Sequence, residues 1–432
     1  MKYYQQLNTI LRSAGLKSAG VYVFSNFFAK ATAFFLLFIY SNPYYISIEE
    51  NGLLNLLGNA VYILMPFLSL GILQSTSVDF FKLKTDEFKD FFTTSFIIPL
   101  IVMVLSIMGM LALNNQLKSY YGFPLSFCYI IPAMAFLAFC NEQYVGLIRN
   151  NNKPLVYLKA TFLRLFIEVG LSVVLVVIFA WRWKGRVTGI MTASTVLLLA
   201  SFFYFRKNGY LFGKVRTKYL KSELSFALPV ILMQCGTFCL IASDKFFLSY
   251  FTDNREVGIY SYACVFASVI TLFSSAIISY VRPMIYQNLS KTIVDTQLIK
   301  KHLLYYIAIN SAALIGIIAF TPLMYKFFIN KSYHPGLQYM YLLALGYFFS
   351  NVTVFFYSFM LYHKQKKYIM ILSLSAILIS LGFNYVFIKQ MGAAGGALSV
   401  CVSYGLMLIL TLLISHKNFS FIFMNKPPLN NK

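Results

Sequence analysis

Residues 244–260 read DKFFLSYFTDNREVGIY. An apolar run ends in the pair Asp244-Lys245, a short polar break follows, and a new apolar run opens behind Glu256, Val257 and Gly258. The same turn occurs 206 positions earlier, where residues 44–55 read YYISIEENGLLN and Gly52 stands in the place of Gly258. A second anchor has the same offset: Gly189 in VTGIMTAS falls on Gly395 in AAGGALSV. Two anchors at one spacing predict a duplicated half, with residues 244–260 opening the second copy. Lys153 pairs best with Lys367 at an offset of 214, so one hairpin differs in length between the copies.

Composition decides the solvent. Of 432 residues, 59% are hydrophobic and 11% charged, against about a quarter charged in a soluble domain. The apolar runs last ~20 residues each, the length that crosses the hydrocarbon core as a helix. The alternation that a membrane barrel requires is absent. The formal charge of +23 suggests nucleic acid at first sight, but the basic residues sit in short loops between apolar runs. That is the placement the positive-inside rule produces, so no nucleic-acid partner is expected.

The predicted order is a polar, helically spaced segment at residues 1–18 lying on the inner surface, then twelve spans. They cover about 20–40, 51–74, 91–113, 126–148, 155–180 and 187–205 in the first half. In the second half they cover 224–251, 257–281, 303–324, 337–362, 368–388 and 392–415. The first run is too long for a signal peptide. The fold expected is an all-α polytopic membrane protein, with two six-helix pseudo-repeat lobes around a central cavity. The lobes are residues 1–205 and 224–415, joined by a basic cytoplasmic linker at 206–223 and followed by a cytoplasmic tail at 416–432. Most of the 36 basic residues then lie inside, as do both termini. Lys118, Arg182, Lys184, Arg186, Arg255, Lys326, Lys331 and Lys389 lie outside, and the group at 182–186 taken alone argues for the opposite orientation.

Ionisable residues within spans are costly and face a cavity or a partner. Lys30 lies ten residues into the first span, ~15 Å deep, with Asn26 one turn earlier on the same face. Arg164 reaches a comparable depth in span 5, and Glu168 follows at i+4, within reach of an ion pair. One reading makes Arg164 and Glu168 a self-neutralising packing element. The other makes Lys30, Asn26 and Arg164 the wall of a wet, cationic cavity for an anionic substrate, with Glu142 and Glu168 as the carboxylates that couple an ion. Lys159 points to a different face. Asp244 and Lys245 lie near the outer end of span 7 as a structural ion pair. Asn310, Asn351 and Asn384 suit helix-to-helix hydrogen bonds, while Pro66, Pro99, Pro132 and Pro229 predict kinks.

Catalytic residues and cofactors are not expected. The six cysteines lie within apolar runs with no histidine near Cys235 and Cys239, so no metal site is expected. No phosphate-binding loop of the form G-x-x-x-x-G-K-[ST] occurs.

The run ALPVILMQ, then ASDKFFLSYF, then VGIYSYA resembles the opening of the second half in polysaccharide flippases of the MOP (multidrug/oligosaccharidyl-lipid/polysaccharide) exporter superfamily. In that pattern an Asp-Arg/Lys pair precedes a Gly-Ile-Tyr start. EENGLLNLL is similar to the first-half equivalent, and NYVFIKQMGAAGGALS to the turn between spans 11 and 12, although Lys389 and Gln390 occupy a turn that often carries proline. Twelve spans disfavour the lipid II branch, whose members usually have fourteen. The resemblance implies a Wzx-type protein of the bacterial inner membrane. Such a protein moves an undecaprenyl-diphosphate-linked oligosaccharide (O-antigen, capsule or exopolysaccharide type) between leaflets by alternating access. Its partners would be that polyprenyl diphosphate, membrane lipids and other polysaccharide-assembly membrane proteins.

Two rivals are weighed against it. A multidrug cation antiporter of the same superfamily would want mid-span acids in place of Lys30 and Arg164. A polytopic polymerase or acyltransferase would want a large outer loop or a buried catalytic histidine, and the chain has neither.

Overall fold

The computed structural model describes residues 36–291, 294–363 and 365–418, with Val21, Phe24, Ser25, Phe28, Thr32 and Phe34 of the first span; the side chains of 221–229 are excepted. Among the described residues there is no strand. Among the described residues, fourteen α-helices follow the helix that ends at Tyr40. They are α1 Ile48–Ser69, α2 Ile72–Lys82, α3 Thr85–Thr94, α4 Ile97–Ala112, α5 Asn114–Tyr121, α6 Phe127–Asn150 and α7 Pro154–Val173. Then follow α8 Arg182–Lys207, α9 Thr217–Phe251, α10 Asn254–Leu289, α11 Thr296–Phe328, α12 Leu337–Tyr362, α13 Lys366–Phe383 and α14 Lys389–Asn418.

Ten helical stretches among the described residues are long and apolar enough to cross a membrane. One of them, Lys366–Asn418, is two spans joined at Gly392, whose φ of 57° and ψ of −133° no helix accommodates. Counting that pair separately, and adding the helix that ends at Tyr40, recovers the twelve-span all-α reading. An all-helical solution is what a bilayer imposes, because a helix satisfies its backbone polar groups within itself.

Two compact units, Met1–Ile231 and Leu232–Lys432, divide the chain. The duplication is written into their helix starts. Ser47 caps α1 in a capping box, accepting from the Glu50 N–H at 3.2 Å while the Glu50 carboxylate accepts from the Ser47 N–H at 2.9 Å. Asp253, 206 positions later, caps α10 by accepting from the Glu256 N–H at 2.8 Å. Ser47 and Glu50 thus stand where Asp253 and Glu256 do, at the offset of Gly52 and Gly258.

Both copies also end their fifth span in a π-helical turn, Val174–Ile178 and Asn384–Ile388. The changed hairpin lies just beyond it. Residues 179–181 turn the chain before α8, with Ala180 at φ 54°, whereas the second copy turns at Gly392, φ 57°, four residues after its π-turn. Gly189 and Gly395 are required by the resulting close packing. A Cβ at Gly189 would lie 2.2 Å from the Ser172 hydroxyl, and one at Gly395 would lie 2.0 Å from the Phe387 carbonyl oxygen. At Gly395 the facing backbone excludes a side chain, and at Gly189 one would require the Ser172 hydroxyl to swing away and the backbone of α7 to yield.

The copies diverge where unit 1 breaks helices that unit 2 keeps whole. Span 2 stops at Leu70 and Gly71, both left-handed (φ 42° and 79°), four residues after Pro66. It therefore ends short of the expected Gln74. Span 3 is interrupted between α3 and α4, whereas α10 and α11 run for 36 and 33 residues.

The linker expected at 206–223 is shorter than the basic run suggests, since α8 continues to Lys207 and α9 starts at Thr217. The intervening residues are docked on α3. Asp90 accepts from the Lys214 N–H at 2.7 Å and from Arg216 Nε at 2.6 Å, and Thr93 and Thr94 hydroxyls accept from the Gly213 and Arg216 N–H groups.

Candidate functional site: charge inside the spans

Unit 1 gathers three charges between α7 and α8. Pro154 opens α7 at a position where its missing N–H is no loss. Arg164 and Glu168 then share one face of the helix one turn apart. The close approach at Gly189 lays the first turns of α8 against the second half of α7. Arg186, one turn before Gly189, comes to rest on Glu168. Its Nη2 donates to Glu168 Oε1 at 2.9 Å and its Nη1 to the Ser172 hydroxyl at 3.2 Å. The guanidinium carbon lies 5.8 Å from the Tyr40 ring centroid. Arg164 Nε is 3.7 Å from Glu168 Oε2, a looser contact.

The side chains of Arg186 and Glu168 are 17% and 15% exposed, that of Arg164 42%. One carboxylate thus serves two guanidiniums, and the cluster keeps one positive charge, carried by its most accessible member. Arg164 lies ten residues into α7, ~15 Å along its axis.

Sequence places Arg186 in an outer loop, with span 6 opening at Val187; the helix instead starts at Arg182 and takes Arg186 inside. Arg182 also finds an acid, Glu50, at 3.1 Å. The basic group that argued against the orientation is thus largely neutralised, with Lys184 alone of the three in no ion pair among the described residues. The one sequence signal for Arg186 is its place three residues before Gly189, a repeat anchor where helices must touch.

Lys30 and Asn26 lie outside the described residues. Glu142 is exposed on α6 and makes no ion pair among the described residues. Its neighbours Asn141 and Gln143 are buried, and both amide atoms of Asn141 lack a hydrogen-bond partner there. Lys159 is exposed and stands apart from the cluster.

Unit 2 holds its own buried pair. Asp244 and Lys245 are 3% and 7% exposed. Asp244 Oδ1 accepts from Lys245 Nζ at 3.3 Å, and Oδ2 accepts from the Tyr260 hydroxyl at 2.7 Å. Lys245 Nζ also donates to the Ile241 carbonyl, and the ammonium lies 5.7 Å from the Tyr260 ring centroid. Both carboxylate oxygens are engaged, and the bond from Tyr260 joins α9 to α10.

One residue before Asp244, Ser243 accepts from Asn384 Nδ2 at 2.8 Å, and Asn384 Oδ1 accepts from Ser399 at 2.6 Å. Asn351 Nδ2 donates to Asn310 Oδ1 at 3.2 Å. These are the interhelical bonds that mid-span asparagines make in a bilayer. All six cysteines are free thiols. Among the described residues no group of three or more His, Cys, Asp or Glu side chains could hold a metal.

The comparisons with known proteins are consistent with this architecture. The chain is similar to the lipid II flippase MurJ in an inward closed conformation, at a TM-score of 0.71 and 15% identity, covering 90% of this chain and 86% of that one. It is similar to an inward-facing multidrug resistance MATE family transporter of the MOP superfamily, at 0.67 and 16%, covering 90% and 95%. A third likeness is to the MATE multidrug transporter DinF-BH, at 0.64 and 15%, covering 92% and 95%. At such identities the likeness establishes the fold alone. No curated protein sequence matches. The polysaccharide biosynthesis protein family matches residues 16–289, well over half of the chain. By that match, the chain belongs to the polysaccharide biosynthesis protein family.

Proposed function

We propose that the protein flips a polyprenyl-diphosphate-linked oligosaccharide from the inner to the outer leaflet of the bacterial cytoplasmic membrane by alternating access, with both termini cytoplasmic. The observation that carries this reading is the net-positive cluster inside the spans of unit 1. A diphosphate cannot cross hydrocarbon uncompensated, and a cation at such depth calls for an anion or water, at a cost of ~3 kcal/mol on insertion scales. Arg164, the half-exposed guanidinium, takes the diphosphate; Lys30, with Asn26 beside it, completes the cationic wall. Arg186 and Glu168 hold one another and fix the site. Glu142, exposed and without an ion pair among the described residues, is the carboxylate that exchanges a coupling proton or ion.

The rival, export of cationic drugs, draws support from the likeness to MATE transporters. It requires a carboxylate to prevail at the site, and here two guanidiniums face one carboxylate.

The test is surface glycan in cells whose chromosomal copy is deleted and replaced by variants at equal protein level. Losing one charge-assisted contact costs roughly 1.5–3 kcal/mol of binding, a tenfold effect or more. Arg164→Ala and Lys30→Ala are expected to abolish export, and Lys159→Ala to support it. Parental export by both alanine variants refutes the site, and dye efflux without glycan export favours the antiporter.

A further inference from the structure

Unit 2 contains an open-sided cavity of about 210 Å³ lined by α9, α12, α13 and α14. It follows α9 from Met233 to Ile241, eight residues or ~12 Å of helix, and α12 and α14 over comparable lengths, from Ser350 to Tyr357 and from Tyr404 to Thr411. The cavity is thus an elongated slot that runs along the helix axes. At one wall α9 meets α13 closely: a Cβ at Gly236 would lie 2.8 Å from the Ser373 carbonyl oxygen. The mouth runs along Thr237 and Ile241, exposed one turn apart.

The lining contains no charged residue. That excludes a diphosphate, which needs cations, and a cationic drug, which needs a carboxylate. Hydroxyls are present, but Thr237, Thr353 and Ser373 donate to the carbonyls of Met233, Phe349 and Ile369 within their own helices. The Tyr357 hydroxyl lies 3.9 Å from the Met233 sulfur. These hydroxyls donate along their own helices or to sulfur, while the Thr411 hydroxyl on the same lining has no hydrogen-bond partner among the described residues; methyls, rings and the thioethers of Met233 and Met407 make most of the wall. An apolar cavity stays dry and takes an apolar guest. Soft thioethers and aromatic faces adapt to an irregular, unsaturated one.

We infer that this cavity binds an uncharged isoprenoid segment, the tail of the lipid carrier whose diphosphate unit 1 is proposed to hold. The inference rests on the flippase reading for the identity of that carrier, while the chemistry of the cavity stands by itself.

The test is photolabelling of the purified full-length protein in lipid nanodiscs. The probes are a diazirine-bearing farnesol and, matched for membrane partition, a diazirine-bearing hexadecanol. Saturable labelling by farnesol at Met233, Thr237 or Met407, competed by unlabelled polyprenol and at least tenfold above hexadecanol, supports the inference. Thr237→Trp fills the mouth from an exposed position and is expected to reduce labelling at least tenfold with an unchanged melting profile. If that variant fails to fold, Ile241→Trp closes the same mouth one turn away. Equal labelling by both probes overturns the isoprenoid assignment in favour of bulk acyl chains, and absence of saturable labelling at these residues overturns the site. Glycan export is read separately in cells. Lost export with intact labelling condemns the flippase reading alone; intact export without labelling condemns the cavity alone.

Discussion

Replacing Arg186 and Arg164 one at a time by alanine separates the structural cation of unit 1 from the one assigned to the substrate. Arg186 makes two hydrogen bonds, one to the Glu168 carboxylate at 2.9 Å and one to Ser172, with about five-sixths of the side chain covered. A charge-assisted hydrogen bond contributes roughly 1.5–3 kcal/mol, and stranding a covered carboxylate adds to the loss. We take about 3 kcal/mol for Arg186→Ala. Arg164 contacts the same carboxylate at 3.7 Å with its side chain 42% exposed. An exposed i,i+4 pair of that kind contributes about 0.3–0.5 kcal/mol. At roughly 2–4 °C per kcal/mol for a unit of this size, Arg186→Ala should lower the melting temperature by roughly 6–12 °C, and Arg164→Ala by no more than about 2 °C.

The assay is thermal unfolding of the detergent-solubilised protein followed by size-exclusion fluorescence, with glycan export measured in parallel. Arg186→Ala should melt early, Arg164→Ala should melt like the parent yet fail to export, and Glu168→Gln should couple to Arg186→Ala in a double-mutant cycle far more strongly than to Arg164→Ala. Equal destabilisation by both arginine variants, or the larger loss at Arg164, would refute the division of roles.

The hairpin glycines make a sharper prediction about folding: Gly395→Ala drives a methyl into the Phe387 carbonyl and should abolish folded protein, whereas Gly58→Ala, with no atom within 4 Å of its added Cβ, should express normally. Folded Gly395→Ala by size exclusion would show that the hairpin can open. Topology is checked by cysteine labelling. Asn51, an attractive outward reporter from sequence, is buried with its amide on the Tyr40 carbonyl. Tyr44, 82% exposed, replaces it. Cysteines at Tyr44 and Asp253 should react with an impermeant maleimide in intact cells, and those at Lys214 and Lys366 only after permeabilisation. External reaction at Lys214 contradicts the orientation.

Much of this protein is determined by sequence alone, because the bilayer leaves few options. Twenty apolar residues between polar loops become a helix whatever surrounds them, so span number, all-α class and the repeat at an offset of 206 follow from one-dimensional pattern. Gly189 and Gly395 were legible as anchors of that repeat, whereas the caps at Ser47 and Asp253 showed themselves only where the structure starts the two helices. Tertiary structure decided which charge faces which. The i,i+4 rule pointed Arg164 at Glu168, and the pair does form. A second guanidinium arriving from α8 holds the carboxylate more closely, and nothing local to Arg186 records that. The docking of 213–216 on Asp90 and the bond from Tyr260 to Asp244 likewise join separate elements of the chain. Charge partners in a low-dielectric interior are chosen by proximity after packing, and packing is set by where two helices can approach.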